Sequence, residues 1–269
     1  MSMVLHLAVA LVAQSGIVVF DGLAVGMSDQ GRWRSMDSLF SKSWPKPSVA
    51  PATVARLTEA GGFVLGQRGD VKPFKGSLKF QGEDGAPGDR GWTLADRTGT
   101  DGVVWFGPKP AAPKVTFAKT DSATYVSAVK TFLQGKGFKN PKPHIQTIAL
   151  VDLDANGTQE ALIFASSLPE DQIHNAFAGN MSNPRPNDYS VWLIRHVVGK
   201  NVKTITAYFS DGKKNGLEGH TRFAGLWDLD GKPGVEILTE WNGYEGWSGS
   251  VHAFSKGRLT LLAEAGDGV

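Results

Sequence analysis

Apolar residues come in short runs along this chain, and most runs end at glycine, proline or an acidic pair. Ile17 to Val25 (IVVFDGLAV) is β-branched and apolar, which predicts a strand. Val54, Leu57 and Ala60 are spaced as one face of a short helix over Thr53 to Ala60. Pro51 stands near its start and Gly61-Gly62 at its end. From Gly62 to Gly107 the pieces FVLG, SLKF, GWTLA and GVVWFG predict strands, with Asp84-Gly85 and Asp101-Gly102 as turns. Pro108 to Pro113 (PKPAAP) reads as an extended linker. A helix capped by Asp121 or Ser122 runs to about Gln134, with Tyr125, Val129, Phe132 and Leu133 on its apolar face. After a break at Lys139 to Pro143 the pattern is β to the end.

Two stretches repeat one another. Thr147 to Ala165 (TIALVDLDANGTQEALIFA) and Thr221 to Trp241 (TRFAGLWDLDGKPGVEILTEW) each hold an acidic loop between apolar runs, offset by 76 residues. The match extends outward, since Ser190 to Ile205 pairs in type with Ser250 to Leu262, a strand, a Gly/Lys turn and a strand. Each unit thus predicts four strands joined by an acidic loop, a variable loop and a turn. The fold class expected is mainly β, propeller-like or built of repeated four-stranded antiparallel units, with one or two short helices. The segments are a signal peptide at 1–14, a Gly-rich β region at 15–113, a linker and helix at 114–143, and two β units at 144–269.

In the first loop Asp152, Asp154, Asn156 and Glu160 stand at relative positions 1, 3, 5 and 9, with Gly157 at 6. Alternate oxygen-bearing side chains on a tight loop point at one centre, and a hard cation takes six to eight oxygens, which points to Ca²⁺. An EF-hand would carry its Glu at position 12 between helices; here the flanks are strands. In the second loop Asp228, Asp230 and Glu236 match, but Lys232 replaces the Asn and Pro233 the Gly. Its ammonium stands where an ion would, so this copy is expected to have lost its ion. The plainer alternative for both is an acidic turn with no ion, since Asp, Asn and Gly are turn residues in any case.

The pattern Asp152-x-Asp154-x-Asn156-Gly157-x-x-Glu160 between strands resembles the calcium loop of FG-GAP/VCBS repeats, as in integrin-α-like β-propellers; the last ligand there is often Asp. The resemblance covers about 40 residues in two segments, the second degenerate. It implies four-stranded blades, with Asp152, Asp154, Asn156 and Glu160 as Ca²⁺ ligands and Thr158 giving its carbonyl. Members of that family serve as adhesion or ligand-binding modules, or as non-catalytic parts of secreted proteins.

Composition narrows the rest. The chain has no cysteine, which removes disulfides, thiolate metal sites and cysteine catalysis. Net charge is +2, and the seven lysines between Lys109 and Lys142 read as a solvated face, so no nucleic-acid partner is expected. Met3 to Ala13 (MVLHLAVALVA) has the length of a signal-peptide core without its basic flank. A signal peptide, a buried first strand and a short anchor all fit it, and it is too short to span a bilayer, so no transmembrane span is expected. Trp241, Tyr244 and Trp247 in EWNGYEGWSG can stack on a sugar, or fill space between sheets. Glu240 and Glu245 there form a conceivable acid/base pair.

The leading expectation is an exported, non-catalytic binding or structural module holding one Ca²⁺, with a carbohydrate or another envelope protein as partner. One alternative is a carbohydrate-active hydrolase working through Glu240 and Glu245. The other is an intracellular partner-binding β domain without metal.

Overall fold

The computed structural model describes residues 14–36, 46–47, 49–81, 91–96, 102–168, 185–213, 217–243 and 246–268. Met3 to Ala13, the Asp84-Gly85 turn, Tyr244 and Glu245 lie outside them. The protein is mainly β, with three antiparallel sheets and two helices among the described residues.

The first sheet holds β1 (Gly16–Phe20), β2 (Leu23–Asp29), β3 (Arg32–Ser35), β4 (Gly62–Leu65), β5 (Val71–Phe74), β6 (Leu78–Gln81), β7 (Gly91–Leu94) and β8 (Val103–Phe106), in the order β5-β4-β8-β1-β2-β7-β6 with β3 beside β2. Helix α1 (Pro51–Thr58) interrupts it. The apolar run expected as one strand over Ile17 to Val25 is instead a hairpin. Asp21 and Gly22 take φ of 42° and 88° and turn β1 back onto β2. Asp-Gly is a hairpin turn sequence because both central residues must adopt positive φ, and here it overrides the apolar continuity.

The second sheet runs β13 (Asn201–Asp211), β12 (Tyr189–Val198), β11 (Glu160–Ser166), β10 (Ile145–Val151), β9 (Thr116–Phe117), and carries α2 (Ala123–Gly135). The third runs β14 (Gly219–Trp227), β15 (Glu236–Gly243), β16 (Gly246–Ser255), β17 (Arg258–Gly268). The two repeated stretches are therefore two antiparallel units, β10–β13 and β14–β17, each opening with a hairpin over an acidic loop.

The spatial order differs from the chain order. Val18, Phe20, Val25 and Trp105 of the first sheet pack on Trp227, Leu238 and Val251 of the third. The opposite face of the third, with Phe223, Leu226, Ile237 and Phe254, packs on Val151, Leu162, Phe164 and Trp192 of the second. The last sheet in sequence is thus the middle layer. Neighbouring residues such as Ile237 and Leu238 serve different cores, as strand alternation requires. The two outer faces are covered by helices: α1 lends Val54 to one, and α2 lends Val129 and Leu133 to the other. Among the described residues this is an open stack of three sheets. The linker touches the edge of the middle layer, where Ala111 bridges to Asp228 just beyond β14. Sheets one and three approach so closely that a Cβ on Gly26 would lie 2.5 Å from that of Ala263.

Polar groups join sheets two and three. Ser166 Oγ lies 2.7 Å from His220 Nδ1, and Thr221 N–H donates to Ser190 Oγ at 3.0 Å. His252 sits edge-on to Trp192, its Nε2 3.2 Å from Thr239 Oγ1. Burial pushes both histidines down from 6.5, to about 4, so the fold holds them neutral. The unfolded chain takes up their protons below pH 6.5, so their neutrality stabilises the fold above that pH and the contribution falls away towards pH 4. For the fully buried His220 the effect is on the order of 3 kcal/mol. From pH 7 to 4.5 the urea midpoint of the wild type should move downward relative to that of His220→Gln, since the buried carboxylates Glu236 and Glu240, whose raised pKa values act in the opposite direction, are common to both proteins. Parallel profiles would show that His220 is hydrated in the native state.

Candidate metal centre

The loop between β10 and β11 is shaped by its own carboxylates. Asp152 ends the strand and accepts the N–H groups of Asn156 (Oδ1, 3.0 Å) and Gly157 (Oδ2, 2.8 Å). Asn156 Oδ1 in turn accepts Thr158 N–H at 2.8 Å. Ala155 and Gly157 take φ of 55° and 85°, and the glycine tolerates this without strain. Leu153 points into the core between sheets two and three and fixes the loop's depth. Its N–H donates to Glu160 Oε2 at 3.1 Å, while Glu160 Oε1 lies 3.1 Å from His196 Nδ1. Burial raises the Glu160 pKa above its ordinary value, against those two hydrogen bonds.

One carboxylate oxygen from each of Asp152, Asp154 and Glu160 lies within 4.8 Å of the others. Oxygens across a Ca²⁺ with bonds of 2.3–2.6 Å stand about 5 Å apart, so this spacing matches such an ion. Asp154 supplies the sharper observation. Its Oδ2 accepts Lys256 N–H at 3.3 Å from the β16–β17 turn, but its Oδ1 is buried without a hydrogen-bond partner. A buried carboxylate oxygen without a donor is costly unless a cation faces it. The residues present therefore fit a hard cation.

The second loop repeats this frame with a different charge balance. Leu229 N–H donates to Glu236 Oε2 at 2.7 Å, the counterpart of the Leu153–Glu160 bond. Gly231 N–H donates to Asp228 Oδ1 at 2.9 Å. Asp228, Asp230 and Glu236 converge within the same 4.8 Å. Here, however, both oxygens of Asp230 have donors. Oδ1 accepts Lys232 N–H at 2.9 Å, and Oδ2 accepts Trp33 Nε1–H at 3.2 Å and lies 3.7 Å from Lys232 Nζ. Lys232 Nζ also donates to Gly31 O on the β2–β3 turn. Burial, with nearby Asp230, pushes Glu236 well above the usual carboxylate range. The tethered ammonium serves this loop and ties it to the first sheet.

The other candidates are dispersed. Trp241 donates from Nε1 to Tyr208 OH of the second sheet (3.0 Å), whereas Trp247 packs in the core facing the first. The two indoles lie on opposite faces of the third sheet and do not form one stacking platform. Glu240 is held by Arg222, whose Nε–H donates to Oε2 at 2.7 Å. His196, Lys256, Trp33 and Gly31 are not legible as partners of the loops in the sequence, because they reach the loops from three other hairpins. Comparison with protein-family models, with curated proteins and with solved structures gives no match.

Lys232→Met removes a charge-assisted hydrogen bond and the counter-charge of Asp230. The side chain is half exposed, so solvent screening limits the loss to about 1 kcal/mol. The thermal midpoint should drop by about 2–4 °C, against no change for Lys200→Met on the exposed β12–β13 turn. Equal midpoints for the two variants would refute the clasp.

Proposed function

We propose that the protein is a binding or structural module, non-catalytic and exported, in which one Ca²⁺ stabilises the Asp152–Glu160 loop. The observation that carries this reading is the contrast between the loops: Asp230 has donors on both oxygens, whereas its counterpart Asp154 keeps one buried oxygen bare. Asp152, Asp154 and Glu160 would hold the ion through side chains. Asn156 and the Thr158 carbonyl complete the set that the resemblance to FG-GAP/VCBS repeats implies. His196 and the Leu153 N–H orient Glu160, as outer-shell partners orient a ligating carboxylate. The ion's role there is cohesion, because the loop touches the third sheet through Val235 N–H on Leu153 O (3.2 Å) and Lys256 N–H on Asp154.

Export is supported by the apolar run Met3 to Ala13 and is compatible with the absence of cysteine. No helix among the described residues is long and apolar enough to cross a membrane.

A ligand that binds only the native state raises apparent stability, by about 2.7 kcal/mol at a hundred times its Kd. The thermal midpoint should therefore be higher in Ca²⁺ than in chelator. Asp152→Ala should abolish the difference, whereas Asp228→Ala should leave it nearly intact. An identical midpoint in Ca²⁺ and chelator for the wild type would sink the reading.

A further inference from the structure

The junction of the first and third sheets holds a polar cleft of ≈ 480 Å³ that is separate from both acidic loops. This volume lies in the range of small-molecule sites. Leu65, at the end of β4, and Ala224, on β14, give it apolar walls. Asp21, on the β1–β2 turn, and Gln67 stand at its rim, and Arg222 and Glu240 form its floor.

The floor is a buried ion pair with spare capacity. Arg222 and Glu240 face each other across β14 and β15 and are 6% and 2% exposed. Both guanidinium contacts, from Nε and Nη2, converge on Glu240 Oε2. The usual fork-to-fork pairing would engage both carboxylate oxygens. Among the described residues Glu240 Oε1 and Arg222 Nη1 have no hydrogen-bond partner, so the ion pair that lines the cleft keeps one acceptor and one donor unused. Gln67 is anchored through Nε2 to Phe223 O at 2.9 Å, which leaves its amide oxygen as an acceptor. Asp21 adds a carboxylate.

This array selects among ligand classes. An anion meets two carboxylates and a surplus of acceptors. A cation meets the guanidinium at the floor. A hydroxyl both donates and accepts hydrogen bonds, so the several hydroxyls of one ligand can donate to Glu240 Oε1 and accept from Arg222 Nη1 without adding charge. We propose that this cleft binds a neutral polyhydroxylated ligand, a monosaccharide or the end unit of a glycan, through Arg222, Glu240, Gln67 and Asp21. Burial raises Glu240 to about 7, so near neutral pH its carboxyl can serve a hydroxyl in either protonation state. No aromatic residue lines the cleft among the described residues, so binding rests on hydrogen bonds without stacking and should be of about millimolar strength. The site does not depend on an ion in the Asp152–Glu160 loop.

An NMR titration of the full chain in Ca²⁺ tests it, with glucose, galactose and N-acetylglucosamine as probes and with n-butylamine and acetate as charged controls. At least one sugar should shift the Gln67 side-chain amide and the Arg222 Nε–H saturably. Glu240→Gln and Asp21→Asn should each weaken that binding at least tenfold. Asparagine suits the left-handed backbone at position 21 (φ 42°), so this variant keeps the turn and stands as the test should Glu240→Gln not fold. An array of immobilised oligosaccharides separates a glycan end from a free sugar. The proposal fails if no sugar gives a saturable shift, if Asp21→Asn leaves the affinity unchanged, or if only a charged control binds.

Discussion

The third sheet is apolar on both faces, and the rest of the architecture follows from covering it. Every residue of β14 is buried, and all but one of β15. Such strands cannot lie on a surface, because burying each aliphatic or aromatic side chain is worth roughly 1.5–3 kcal/mol. The first sheet covers one face and the second covers the other. Each cover then has an outer face to hide, and α1 and α2 meet that need with short apolar stripes. The chain supplies both covers before the slab between them, so the residues after Gly219 complete two cores together. The linker passes the edge of the middle layer for the same reason, since sheets one and two follow one another in sequence but pack on opposite faces of the third.

The acidic loops meet at one end of this stack, where three carboxylates converge in each. Concentrating like charge beside a buried core raises carboxylate pKa values and requires a counter-charge. The hydrogen bonds from Leu153 to Glu160 and from Leu229 to Glu236 show that both loops share one frame. They differ in the residue that follows the second aspartate by two positions. Lys232 brings its own cation, fixed between Asp230 and the Gly31 carbonyl. Asn156 brings none, and spends its side-chain oxygen on the turn.

What could be read from the sequence was local. Strand alternation, helix punctuation and the Asp-x-Asp spacing gave both four-stranded units, both helices and the carboxylates that converge in each loop. The strands, helices and loops depend on residues within about ten positions of one another, and the grouping into units rests on the repeat at a 76-residue offset. The insertion of the third sheet was not legible, because face-to-face packing leaves no periodic mark. The partners of the loops, His196, Lys256 and Trp33, come from other hairpins and carry no spacing signal. Trp241 and Trp247 show how one turn decides a site. Six positions apart on a single strand they would share a face. The chain instead reverses between them, and the register pairs Asn242 with Trp247 and Trp241 with Ser248. The two indoles therefore point to opposite faces. The Asp21-Gly22 turn erred in the same direction: two permissive residues outweighed seven apolar ones.

The two seams of the stack are closed by different means, and this bears on what a cation in the first loop would do. Between sheets one and three the backbones approach at Gly26 and Ala263, and Lys232 and Trp33 tie the second loop to the β2–β3 turn. That seam holds its counter-charge covalently. Between sheets two and three the first loop docks through Leu153 O and Asp154 Oδ2, with one Asp154 oxygen left bare. Asp154, which would bind the ion, is thus also a residue that touches the neighbouring sheet. Electrostatic repulsion in the loop acts on a contact between sheets, not on an isolated hairpin. A cation there would strengthen the seam that lacks a charge of its own, while the other seam is indifferent to it.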